Sequence, residues 1–293
     1  MPRAAANGIE LEYETFGSPT DPALLLVMGL GGQLIAWEDA FCRRLADTGR
    51  YVVRYDNRDV GLSTHFDDAD IDLGTVLASA LAGGPRPPVP YTLSDMAADA
   101  VGLLDALHVE RAHIVGASMG GMIVQTMAIE HPERVLTMTS IMSTTGEEGV
   151  GQPSPEAIQV LLSPPPADRA EAIDGAVEGW KMIGSPRYID EERVRQRAAE
   201  AFDRSFYPAG TNRQLAAVVA SGSRADGLRR LRIPTLVIHG RADSLIQLSG
   251  GERTAELVPG ANLLVMNDMG HDLPEPLWPL VVDAIASHTT HAI

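Results

Sequence analysis

His113-Ile114-Val115-Gly116-Ala117-Ser118-Met119-Gly120, leading into Met122 to His131, is the stretch on which the fold turns. A short strand-like run passes through a Gly-x-Ser-x-Gly pentapeptide into a helical segment. By itself the pentapeptide says little. Set between strand and helix it has a physical meaning: a turn this sharp leaves no room for side chains beside the serine, so glycines flank it. The hydroxyl is then lifted above the sheet.

A serine hydroxyl is a poor nucleophile until a base takes its proton, so Ser118 predicts a histidine and an acid further along the chain. Pro234-Thr235-Leu236-Val237-Ile238-His239-Gly240 reads as a buried strand, and Arg241-Ala242-Asp243 follows it directly. Asp243 is the candidate acid. Ala261 to Met266 reads as a further strand leading into Asn267-Asp268-Met269-Gly270-His271, with a Pro-bounded helix start behind it. His271 is the candidate base. Asp268 and Asp272 lie nearer to it in sequence, but the acid must reach the far ring nitrogen, and Asp243 follows the strand expected to carry it. A fourth strand-like run, Ala23 to Met28, ends in Gly29-Leu30-Gly31-Gly32. The backbone N–H groups of Leu30 and Met119 are the expected donors to a developing oxyanion, each worth about 3 kcal/mol in a transition state.

The chain order Ser, Asp, His, each on a loop after a strand, is that of α/β-hydrolases rather than of chymotrypsin- or subtilisin-like folds. Together with Leu26-Val27-Met28-Gly29, Arg54 to Ser63, Gly240-Arg241-Ala242-Asp243 and Met269-Gly270-His271, these motifs make the chain resemble α/β-hydrolase carboxylesterases over nearly its whole length. The mycobacterial lipase/esterases and aclacinomycin methylesterases are the groups it looks most similar to. Met28 departs from a common pattern, since many α/β-hydrolases carry histidine before that glycine. The ring contact that braces the oxyanion loop in those proteins is therefore absent.

That resemblance implies an α/β-hydrolase fold, with a mostly parallel central sheet, helices on both faces and an inserted helical cap. The strand-and-helix alternation points the same way. Ile9 to Phe16 alternates and reads as an edge strand, Ala36 to Thr48 as a helix, and Tyr51 to Tyr55 as a strand. Thr92-Leu93-Ser94-Asp95 opens a helix to Leu107 as a capping box. Between Thr144 and about Arg230 the strand rhythm gives way to helical segments and Pro-rich punctuation. The expected organisation is a core of residues 1–144 and 229–293 with a cap of 145–228. Residues 82–90 read as an extended loop.

Composition narrows the partners. A formal charge of −16 repels phosphate backbones and anionic membranes, so nucleic acid is not an expected partner. No run approaches the roughly 18 apolar residues that span a bilayer, and the start of the chain lacks a secretory apolar region. A cytoplasmic enzyme is the simplest expectation. The single cysteine, Cys42, excludes an intrachain disulfide and reads as part of an ordinary helix face. Gly29 to Gly32 lacks the remaining glycine of a dinucleotide fingerprint, and the acidic run Asp67 to Asp72 lacks the glycine and terminal glutamate of a calcium loop. No zinc-ligand spacing occurs.

The expected chemistry is two-step acyl transfer from Ser118 on a small-molecule ester, without cofactor or metal. Methionine makes adaptable apolar walls. Met28, Met142, Trp180, Met182 and Met269 are the candidate pocket residues, and they favour short to medium acyl, aromatic or methyl esters. The same constellation serves cofactor-free perhydrolases or haloperoxidases and carbon–carbon bond hydrolases. A ligand-binding protein that keeps the fold is the non-catalytic alternative.

Overall fold

The computed structural model describes residues 2–82 and 88–290. Among them eight strands make one sheet: β1 (Arg3–Ala6), β2 (Ile9–Phe16), β3 (Ala23–Val27), β4 (Tyr51–Tyr55), β5 (Ala112–Ala117), β6 (Val135–Ile141), β7 (Thr235–Gly240) and β8 (Asn262–Met266). Their order across the sheet is β1-β2-β4-β3-β5-β6-β7-β8. β1 and β2 are antiparallel to their neighbours, and from β4 to β8 every pair is parallel.

Parallel strands covered on both faces carry apolar residues at successive positions, which is what Ala23-Leu24-Leu25-Leu26-Val27 supplies. Alternation then sorts them. Leu24, Leu26, Val52 and Val115 pack with Phe41 and Leu45 of α1 (Asp39–Ala46) and with Trp278, Val281 and Ile285 of α11 (Trp278–Thr290). Leu25, Val27, Val53 and Ile114 face the opposite layer, built from α3 (Leu93–Ala106) and α4 (Met119–Glu130). α4 is buried continuously from Met119 to Ala128, so its sequence shows no polar stripe. The capping box at α3 forms, with the Asp95 carboxylate accepting the Thr92 N–H at 2.7 Å.

Two expectations need correction. Ile9 to Phe16 is a strand but not the edge, because β1 pairs along it from Arg3↔Glu12 to Ala6↔Ile9; four residues, three of them alanine, carry too little pattern to announce a strand. The helix expected over Ala36 to Thr48 is instead a 3₁₀ turn, Leu34–Ala36, followed by α1. Residues 83–87 of the expected extended loop lie outside the described residues.

α2 (Leu73–Leu81) precedes α3. Between β6 and β7 the chain runs through α5 (Pro155–Leu161), α6 (Arg169–Ile183), α7 (Glu191–Arg204), α8 (Pro208–Ser221) and α9 (Ala225–Leu228), and α10 (Ser249–Leu257) joins β7 to β8. Among the described residues no helix is long and apolar enough to cross a membrane.

Candidate active site

β3 lies between β4 and β5, so the chain leaves it in opposite directions across the sheet on its two sides. In open α/β sheets ligands bind beyond the carboxyl ends of strands at such a reversal. Ser118 stands there, at the end of β5, with φ +56° and ψ −120°. Such a backbone costs about 1–3 kcal/mol and persists only when its surroundings over-determine it. They do so here. The Ser118 N–H donates to the Ile141 carbonyl at 2.9 Å, and its own carbonyl accepts the Ser143 hydroxyl at 2.8 Å. A Cβ on Gly116 would overlap the Gly120 carbonyl, and one on Gly120 would overlap the carbonyl of Val27. Glycines therefore let α4 begin hard against β3 and β5, with the serine side chain the one that projects.

The loops after β7 and β8 bring the other two candidates to it. His271 Nε2 is 2.9 Å from Ser118 Oγ, and His271 Nδ1 is 2.8 Å from Asp243 Oδ2. A carboxylate accepts and cannot donate, so the ring proton belongs on Nδ1 and the Nε2 lone pair faces the serine hydroxyl. The second oxygen of the buried Asp243 accepts the N–H groups of Leu245 and Ile246, each at 2.9 Å. His239, on β7, holds the same turn: its Nε2 lies 2.8 Å from the Ile246 carbonyl. Burial pulls its pKa below the ordinary imidazole value. Neither rival carboxylate reaches the imidazole. Asp268 pairs with Arg187 at 3.1 Å, and Asp272 accepts from the N–H and hydroxyl of Ser185.

The Gly29–Gly32 loop abuts Ser118, since a Cβ on Gly29 would stand 3.0 Å from that of the serine. Gly32 donates its N–H to the Gly29 carbonyl at 3.1 Å, and Gly31 donates its own to Gln214 Oε1 at 2.8 Å. Among the described residues no protein acceptor takes the N–H of Leu30 or of Met119. Met119 is the first residue of α4, where helix geometry provides no intrahelical acceptor and the dipole favours negative charge.

The five pocket candidates do not share one setting. Met28 is half-buried beside Gly32, Met142 is buried with φ +41°, and Trp180 is half-buried near the end of α6. Met182 is 43% exposed, whereas Met269 is fully buried within the layer formed with α1 and α11. Arg58 and Asp56 belong to structural ion networks, Arg58 with Asp99 at 2.6 Å and Asp56 with Arg204 at 2.7 Å. Cys42 is buried on α1 with its thiol pushed up to about 12 by desolvation, which keeps it unreactive. Among the described residues no group of three or more His, Cys, Asp or Glu side chains could hold a metal ion.

Sequence reasoning missed the polar side chains that hold these loops. Gln214 and Ser185 are completely buried, and Asn57 almost so. Gln214 lies beside Asn212 and Arg213 in a helix that is otherwise mostly apolar towards its end, and a polar run of this kind is the one signal that sequence offered.

A family described as alpha/beta hydrolase fold matches residues 22–275. The chain is 30% identical over 306 aligned positions to Rhodomycin D methylesterase DauP of Streptomyces sp. (strain C5), covering 97% of this chain and 96% of that protein. It is 32% identical over 177 positions to 2-hydroxymuconate semialdehyde hydrolase of Pseudomonas sp. (strain CF600), with 59% of each chain covered. Among solved structures, a meta-cleavage product hydrolase from Pseudomonas fluorescens IP01 superposes with a TM-score of 0.78 at 21% identity, covering 100% of this chain and 98% of that one.

Proposed function

The chain belongs to the alpha/beta hydrolase fold family, and from that premise we propose that it is a serine hydrolase of carboxylic esters with Ser118, His271 and Asp243 as its catalytic triad. The continuous relay from Ser118 Oγ through His271 to Asp243, with contacts of 2.9 and 2.8 Å, carries the reading. His271 Nε2 takes the hydroxyl proton as Ser118 Oγ bonds to the ester carbonyl carbon. The carbonyl π electrons move to oxygen, and the oxyanion accepts the N–H groups of Leu30 and Met119. The C–O bond to the alcohol then breaks as His271 returns the proton to the leaving oxygen. Water, deprotonated by the same nitrogen, repeats the sequence on the acyl-enzyme and releases the acid. Asp243 holds the tautomer throughout.

The relative named as a methylesterase, aligned over nearly the whole chain, supports a methyl or other small-alkyl ester. Residues 145–228 are proposed as the cap over the site. In support, the segment reaches the histidine loop through the Ile183 carbonyl, which accepts the His271 N–H at 2.7 Å, and the oxyanion loop through Gln214. A second reading, carbon–carbon bond hydrolysis, draws on the 2-hydroxymuconate semialdehyde hydrolase relative.

Hydrolysis of p-nitrophenyl esters from acetate to palmitate, and of an aromatic methyl ester, tests the proposal with wild type and Ser118→Ala at equal fold content. The wild-type rate is expected to fall by at least about 10³-fold in the variant. Equal rates in both proteins would remove Ser118 as nucleophile. Turnover of a vinylogous diketone with little action on any ester would favour the second reading.

A further inference from the structure

We infer that Gln214, on α8, is a positioning residue for the oxyanion hole: it locks the turn after β3 so that, of the N–H groups of Leu30, Gly31 and Gly32, only that of Leu30 is left free. The inference rests on the serine-hydrolase reading and adds to it a dependence of the oxyanion donor on the segment between β6 and β7.

The loop has three consecutive N–H groups that could face a carbonyl oxygen, those of Leu30, Gly31 and Gly32. Gly32 closes a turn onto the Gly29 carbonyl at 3.1 Å. Gly31, at φ +65°, is the third residue of that turn, and its N–H belongs to the central peptide. In a four-residue turn this peptide has two orientations, related by a flip that exchanges the Leu30 carbonyl with the Gly31 N–H. Gln214 Oε1 holds the N–H side at 2.8 Å and so fixes the orientation. Flipping would aim the Leu30 carbonyl at a buried amide oxygen, acceptor against acceptor. Thr211, one turn earlier on α8, closes the remaining space: a Cβ on Gly31 would come within 2.9 Å of its hydroxyl.

Gln214 is itself held without freedom. Its side chain is fully buried. Its Nε2 donates to the Arg58 carbonyl at 2.7 Å, so a backbone donor at one end and a backbone acceptor at the other determine which way the amide points. Asn57, the residue before Arg58, donates its Nδ2 to the Met28 carbonyl at 2.9 Å. The loop after β3, the loop after β4 and α8 are thereby joined in one closed set of hydrogen bonds around the oxyanion turn. Met28 occupies the position at which a histidine ring would brace such a loop, and Gln214 and Asn57 brace it here through Gly31 and the Met28 carbonyl.

Gln214→Met keeps length and volume and removes both hydrogen bonds. Removing an oxyanion donor outright costs about 10²–10³ in kcat, and misplacing one costs less. The variant is therefore expected to lose about 10- to 100-fold in kcat on a p-nitrophenyl ester, with KM within about twofold. A trifluoromethyl ketone, which forms a tetrahedral adduct on Ser118, should bind more weakly by the same factor, and the product carboxylate should bind as before. Gln214→Glu supplies a second arm. Its protonated carboxyl accepts from Gly31 and donates to the Arg58 carbonyl, whereas its carboxylate can only accept. Its kcat, taken as a ratio to wild type at each pH, should therefore recover as pH falls.

Wild-type kcat and ketone affinity in Gln214→Met would overturn the inference, as would a Gln214→Glu ratio that stays flat with pH while kcat is reduced. Ser118→Ala, assayed alongside, separates the two levels. Full activity in Ser118→Ala removes the serine-hydrolase reading itself. An inactive Ser118→Ala with silent Gln214 variants removes only the role of Gln214.

Discussion

The nucleophile and the base of the candidate site are held by different parts of the molecule. Ser118 is fixed by its own neighbourhood, its N–H on the carbonyl of Ile141 in the next strand and its carbonyl under the hydroxyl of Ser143. Both of these backbone contacts come from the next strand or the residues just after it, within 25 residues in the chain. His271 is fixed from far away. Its N–H reaches the last residue of α6, Ile183, and the preceding Gly270 N–H reaches Ser185 Oγ at 2.8 Å, a contact that spans 85 residues. Core packing thus freezes Ser118, while the segment between β6 and β7 sets His271. Disturbing the first should cost the fold, and disturbing the second should cost the rate.

The largest effect is expected on the nucleophile side. In Gly120→Ala the new methyl would overlap the Val27 carbonyl and crowd that of Met28, both backbone atoms of the site's innermost strand and its continuation. Neither can yield without moving β3 against α4. A loss of at least about 3 kcal/mol in unfolding free energy is expected, measured by urea denaturation, with activity lost alongside folded protein. A stable and active Gly120→Ala would mean that packing fixes the nucleophile less firmly than this comparison holds.

β5, the strand that leads into Ser118, carries an acid-sensitive group at its other end. His113, fully buried on β5, has Nδ1 at 2.9 Å from Thr137 Oγ1, and its buried Nε2 has no partner among the described residues. Desolvation, with smaller contributions from Arg50, His288 and Arg111, pulls its pKa down to about 4. The unfolded chain, titrating near 6.5, binds a proton that the folded state refuses. Stability on this account falls as pH drops from about 6.5 to about 4 and is flat below, by no more than about 3 kcal/mol. Urea denaturation of His113→Gln at pH 7 and at pH 4.5 should show a smaller gap between the two than wild type shows. An undiminished gap would assign the acid sensitivity to His239 and His288, which burial also lowers.

The same contrast explains what sequence disclosed. Gly116, Ser118 and Gly120 were legible because their constraint is local: five residues, one turn and a steric exclusion that only glycine relieves. Asp243 and His271 were legible through chain order and the strands before them, and the structure brings both to Ser118. What supports them was not legible. Ser185 sits in an unremarkable Gly-Ser-Pro, and Gln214 in a helix whose polar residues look no different from solvent-facing ones until the helix is docked. β1 was missed for a related reason, since Arg3-Ala4-Ala5-Ala6 becomes a strand only because β2 offers it an open edge. The five pocket methionine and tryptophan positions differ in burial, which sequence did not disclose. Proximity to site loops in sequence does not say which way a side chain turns, and Met269 turns into the core.

The smallest expected effect lies on the histidine side, where Ser185 joins the segment after α6 to the base. Its hydroxyl accepts the Gly270 N–H and donates to Asp272, whose second donor is the Ser185 N–H at 2.8 Å. Asp272 is largely buried, and desolvation raises its pKa above the usual carboxylate range. In Ser185→Ala the Gly270 amide loses its acceptor and the carboxylate keeps one donor, so the turn that presents His271 loosens while the Asp243 contact and the elbow stay as they are. A fall of about 10-fold in kcat, equal to about 1.4 kcal/mol, is expected with KM little changed. Because geometry changes and the hydrogen bond between His271 and Asp243 does not, the acid limb of the kcat/KM profile should keep its midpoint and drop uniformly. Asp272→Asn, which still offers Ser185 an oxygen, should fall less. An unaltered kcat in Ser185→Ala would show that the sheet alone holds the base, as it holds the nucleophile, and the two halves of the site would then be alike.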